Sequence, residues 1–110
     1  MGSLSKLIAP IIRGEAQLTV VTAGTPVAPA AITAVEDQKV KYLRIINNNA
    51  TKIVAVGLIA TVDAVSTPKI GVILYENDAV IVPVRHDPAE LIGVDADINA
   101  TVVTVQQLGE

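Results

Sequence analysis

The chain has 110 residues, a formal net charge of −3 and an apolar share of 51%, yet only two aromatic residues, Tyr42 and Tyr75. That length makes one domain around one core, and the core has to be aliphatic because Phe and Trp are absent. The acidic balance excludes the basic stripe of a nucleic-acid binder, and the absence of Cys excludes a disulfide frame, a thiol nucleophile and a thiolate metal site.

Val and Ile dominate the apolar set, and both fit a pleated sheet better than a helix. In chain order, residues 1–15 read as an extended N-terminal arm, and 16–110 as the domain proper. The arm carries Leu7, Ile8, Ile11 and Ile12, an apolar patch that is costly unless something covers it. Its run Leu4-Ser5-Lys6-Leu7-Ile8-Ala9-Pro10-Ile11-Ile12 is too short and broken for the apolar region of a signal peptide, so no signal-directed secretion is expected. Lys6 stands where a myristoylation motif wants Ser or Thr.

Gln17–Thr22 reads as a strand, followed by the breaker stretch Ala23-Gly24-Thr25-Pro26-Val27-Ala28-Pro29. Ala31–Val35 is a short strand, with a polar turn at Glu36-Asp37-Gln38. Val40–Ile46 is a strand, and Asn47-Asn48-Asn49 is a turn, since Asn tolerates the left-handed region. Thr51–Leu58 follows as a strand with a bulge expected at Gly57. Ile59–Val65 is apolar but broken by Asp63, and Ser66-Thr67-Pro68 closes it.

Gly71–Tyr75 and Ala79–Val84 read as a hairpin around Glu76-Asn77-Asp78, with Pro83 at an edge or a strand end. Arg85-His86-Asp87-Pro88 is a loop. Leu91–Val94 and Thr101–Gln106 are the last strands. The expectation is an all-β, antiparallel sandwich of about eight short strands, with closure into a barrel left open. The longest apolar run, Ile53–Val62, is about half of a membrane span, so no membrane partner is expected.

Catalytic equipment is hard to assemble from these residues. His86 is the only histidine, it lies between Arg85 and Asp87, and no serine elbow is near it; a solvated loop histidine accounts for it. Asp95-Ala96-Asp97-Ile98-Asn99 places oxygens at alternate positions, as in the first half of a calcium loop. The match then fails, because Ala100 replaces the turn glycine and Gln106 stands where a closing Glu is needed. A polar turn explains the same residues. Tyr42 and Tyr75 are the only rings that could stack on a sugar, and each lies in an apolar strand. No catalytic residue, cofactor or metal is expected, and the chain reads as a non-enzyme.

Between Val40 and Gln106 a resemblance is carried by the order of turns and alternating strands. That order runs Tyr42-Leu43-Arg44-Ile45-Ile46-Asn47-Asn48, Ile53-Val54-Ala55-Val56-Gly57, and Gly71-Val72-Ile73-Leu74-Tyr75-Glu76-Asn77-Asp78. Pro88-Ala89-Glu90-Leu91-Ile92-Gly93-Val94 and Thr101-Val102-Val103-Thr104-Val105 complete it. This order resembles the small β-sandwich modules of tailed-phage virion proteins, notably capsid decoration or cement proteins. Asn77-Asp78 departs from the Pro-Gly turn that such modules often carry.

The resemblance implies a jelly-roll-like sandwich, a homo-oligomer (a trimer favoured) and a place in the virion on the major capsid protein or another virion protein. The expected assembly contacts are Leu7, Ile8, Ile11 and Ile12 of the arm and Arg85, His86, Asp87 and Pro88 of the loop. Two other roles fit the same sequence: a neck, tail or fibre-base component, and a carbohydrate- or peptide-binding module.

Overall fold

A computed structural model describes residues 11–29, 40–84 and 91–109. Within them lie seven strands: β1 (Ile11–Val20), β2 (Val40–Ile46), β3 (Val54–Leu58), β4 (Val72–Leu74), β5 (Ala79–Pro83), β6 (Ile92–Ala96) and β7 (Thr101–Gly109). They form two antiparallel sheets, one ordered β1-β7-β2-β5 and the other β4-β3-β6. An isolated bridge from Val27 to Val94 adds a further rung beyond β6. With that rung included, the chain crosses between the sheets at every step except β3 to β4, in the order of a jelly roll.

Alternation builds the core. Leu43 and Ile45 of β2, Val54 and Val56 of β3, Val94 and Ala96 of β6, and Val103 and Val105 of β7 all point between the sheets and are buried. Each such side chain contributes roughly 1.5–3 kcal/mol by leaving water. No aromatic ring takes part, as composition requires.

The second sheet is covered on its outer side as well. Residues 59–71 fold back over it, and Val62 and Ala64 pack on Ala55 with Ile73 alongside. Close approach is possible because Gly57 and Gly93 face each other across β3 and β6. A Cβ on Gly93 would stand 2.7 Å from the Cα of Ile59, and one on Gly71 would stand 2.8 Å from the carbonyl oxygen of Val56. Gly71 also has φ +118°, a conformation closed to other residues. With both of its faces covered, β6 is buried along its whole length.

Asn47 joins the two sheets. It follows β2 and is fully buried. Its Nδ2 donates to the carbonyls of Lys52 and Leu74, both at 2.9 Å. Its Oδ1 accepts from the backbone N–H of Asn49 at 3.0 Å and from Asn49 Nδ2 at 2.9 Å. Its own N–H donates to Asp78, and its carbonyl accepts from Asn77. The amide thereby ties the end of β2 in one sheet to the end of β4 in the other.

Several elements differ from expectation. The Glu76-Asn77-Asp78 turn is present, with Asp78 N–H on the Tyr75 carbonyl and Asn77 at φ 65°. It does not close a hairpin: β4 pairs with β3 and β5 pairs with β2, so the turn carries the chain from one sheet to the other. The reason is Asn47, which holds both flanks of the turn. Gly57 sits in regular register, and the irregularities fall at Ile12/Gly14 and Val40/Tyr42. Strand β3 starts at Val54 rather than Thr51, because the Lys52 carbonyl and the Ile53 N–H are taken by the side chains of Asn47 and Asp97. Strand β1 starts at Ile11, since β7 runs on to Gly109 and offers it a partner; residues 11–15, counted with the arm, are therefore sheet. The expected strand Ala31–Val35 lies outside the described residues. Pro83 ends an edge strand, where its missing N–H is harmless.

Two stability outcomes follow from these contacts. Gly93→Ala should cost about 1–3 kcal/mol by overpacking against Ile59. Gly57→Ala, whose Cβ would meet neighbours only at 3.4 Å and beyond, should cost clearly less in the same urea titration. Asn47→Asp keeps the size of the side chain but turns a carboxylate oxygen toward two carbonyls. It should lower stability by roughly 2–4 kcal/mol in equilibrium denaturation, more than any substitution at exposed Asn48.

Candidate interaction surface

Register alone places side chains in rows across the outer face of the four-stranded sheet. One row runs Glu15, Gln106, Arg44, Ile81, from β1 through β7 and β2 to β5. The next runs Gln17, Thr104, Ile46, Ala79, and Thr19 stands beside Val102. Tyr42 faces Pro83 at one end of the face. Tyr42 is 48% exposed and Ile81 is 55% exposed. Among the described residues nothing folds over the centre of this face, in contrast to the other sheet.

The face mixes apolar and hydrogen-bonding groups. Arg44 Nη1 donates to Gln106 Oε1 at 3.3 Å, an exposed link between neighbouring strands β2 and β7. Asn49 Nδ2 donates to the Val102 carbonyl at 2.8 Å, and Asn48 Nδ2 lies 3.5 Å from Thr104 Oγ1. These bonds brace the rim of the face near the end of β2. Tyr and Arg beside an exposed Ile is the side-chain mixture favoured at the energetic centres of protein interfaces.

The acidic stretch at the end of β6 accepts backbone N–H groups from other segments. Asp95 is fully buried; its Oδ1 accepts from Gly24 N–H at 2.9 Å and its Oδ2 from Ala64 N–H at 2.8 Å. Asp97 Oδ1 accepts from Ile53 N–H and Asn99 Oδ1 from Ala23 N–H, each at 2.8 Å. The alternate spacing thus sends three side chains to three different loops and stitches one end of the sandwich. Among the described residues no three His, Cys, Asp or Glu side chains converge as a metal site would require. Ala100, where a calcium loop would need glycine, adopts φ 58°.

Of the expected assembly contacts, Ile11 and Ile12 fall in β1, opposite Gly109 and Leu108, and Ile12 is 57% exposed. Leu7, Ile8, Arg85, His86, Asp87 and Pro88 lie outside the described residues. Arg44, Gln106 and Ile81 escaped sequence reasoning as site candidates. The signal for them was the alternation Tyr42-Leu43-Arg44-Ile45, which places Tyr42 and Arg44 on the face away from the core once Leu43 and Ile45 are assigned to it.

Comparison with known proteins found no match to a protein family, to a curated protein or to a solved structure.

Asp63 gives this protein one acid-sensitive feature. Hydrogen bonds from the Ser66 side chain, then from the Ser66 and Val65 N–H groups, hold its carboxyl below the ordinary aspartate value, with a smaller contribution from Lys69. A lowered folded pKa means that the contribution is complete above the unfolded value of about 3.9 and is lost as pH falls through the folded one. In a pH titration followed by NMR, the Val65 and Ser66 amide signals should hold still from neutral pH to about 5 and move together below about 3.9. Asp63→Asn should abolish that step.

Proposed function

We propose that this chain is a non-enzymatic virion structural protein, a decoration or cement protein that binds a tailed-phage capsid and stabilises the assembled shell. The observation that supports the reading is the four-stranded face bearing Tyr42, Arg44, Gln106 and Ile81, uncovered at its centre among the described residues, on a sandwich whose other outer face is covered by its own chain. The resemblance of Val40–Gln106 to virion sandwich modules supplies the class of partner: the major capsid protein, or another virion protein. A rigid jelly roll with a flat, mixed face is suited to docking on a preformed surface, because little has to be ordered on binding.

Stabilisation works by linkage. A protein that binds the assembled lattice in preference to free subunits shifts the equilibrium toward assembly, by an amount that grows with its concentration over Kd. The outer face of the four-stranded sheet is the principal contact, with residues 1–10 and the stretch Arg85 to Pro88 as further contacts to capsid or to neighbouring copies. The protein would be made in the host cytoplasm and reside in the virion as a homo-oligomer.

The test is co-sedimentation of the purified chain with capsids. Arg44→Ala and Tyr42→Ala should each weaken binding about tenfold or more, equivalent to 1.4 kcal/mol, while leaving the thermal melt of the free protein nearly unchanged. Removal of residues 1–10, which precede β1, should lower occupancy further. Full occupancy by all three variants would overturn the assignment.

A further inference from the structure

We propose that two copies of this chain pair edge to edge through β1, antiparallel about a twofold axis at Gln17, so that their four-stranded sheets continue as one eight-stranded sheet. The proposal begins from an inventory of sheet edges. In the smaller sheet, β4 is three residues long and β6 has the Val27 bridge beside it. In the larger sheet, β5 is five residues long and ends in Pro83. These are the devices by which proteins protect edges: shortness, cover and proline. Among the described residues, strand β1 has none of these three. It is ten residues long, contains no proline, and among the described residues pairs on one side only, with β7.

Its irregularity between Ile12 and Gly14 leaves a regular stretch from Gly14 to Val20, whose midpoint is Gln17. A twofold axis at Gln17 therefore uses every regular residue and keeps the outer faces of both copies on one side. Gln17 then meets Gln17 of the second copy, and a primary amide both donates to and accepts from its own kind. Glu15, the only charge in the stretch, meets Thr19 of the second copy. An axis at Glu15 would instead set two carboxylates directly opposite, which is destabilising. On the inner side, Leu18 meets Ala16 of the second copy. Ala16 is exposed and Leu18 only half-buried in the single chain, so pairing extends the apolar core across the junction.

Pairing of this kind is isologous and closes at two copies. It differs from the trimer that the resemblance implies, and it stands apart from capsid binding, because the contact uses an edge and no other protein.

Light scattering after size exclusion, on the full chain without capsids, decides it. The wild type should elute at twice 11.4 kDa. Gln17→Lys and Gln17→Glu, each alone, should weaken pairing at least tenfold and give the single-copy mass with an unchanged β-sheet circular dichroism spectrum. An equimolar mixture of the two variants should restore the pair, since Lys then faces Glu across the axis. A single-copy mass for the wild type at every concentration, a three-copy mass, or a pair indifferent to both substitutions would overturn the proposal. A single-copy wild type whose β1 amides all resist hydrogen exchange would overturn it too, by showing that the edge is covered within one chain.

Discussion

The side-chain amide of Asn47 is the contact on which the two-sheet arrangement turns. It is a buried polar group in an aliphatic core, and burial without partners would cost roughly 1–3 kcal/mol per unmet group. Every donor and acceptor of its side chain is used, on Lys52, Leu74 and Asn49. Because Leu74 ends β4 and Asn47 follows β2, the amide fixes where one sheet ends against the other. The turn at residues 75–78 then has one way to go, from the smaller sheet into the edge of the larger. Apolar side chains alone would not specify this, since dispersion and the hydrophobic effect are nearly indifferent to direction.

The same logic of directional bonds inside an undirected core operates at Asp95, Asp97 and Asn99. Three oxygen-bearing side chains at alternate positions take backbone N–H groups from the loops at 23–24, 53 and 64. Loops that carry few apolar contacts are held by hydrogen bonds instead. The result satisfies the described buried side-chain polar atoms without exception.

Among the described residues, one outer face of the sandwich is covered by the chain itself and the centre of the other is not. Gly71 and Gly93 let residues 59–71 lie close on the smaller sheet, because a Cβ at Gly93 would meet Ile59 and one at Gly71 the backbone at Val56. The larger sheet has no such glycine array at its centre, and its outer rows carry Arg44, Gln106, Gln17 and Thr104, which are too polar to bury against the chain's own loops. A core with no aromatic ring leaves a modest margin over chain entropy, so association would add usefully to stability.

The all-β class, the aliphatic core, the end of β2 before the asparagine run, the turn at Glu76–Asp78, and the terminal position of Pro83 were legible in the sequence. Each depends on local properties: residue period, β-branching, and tolerance of left-handed backbone. Which strands pair was not legible at the crossover, where local turn chemistry reads as a hairpin and Asn47, about 30 residues away in sequence from Asp78, decides otherwise. The open face was legible only in part. Alternation says that Tyr42 and Arg44 point away from Leu43 and Ile45, but not whether a loop lies over them. That depends on the close approach of residues 59–71 to the glycines of the opposite sheet, a contact between segments distant in sequence that only the tertiary structure brings together.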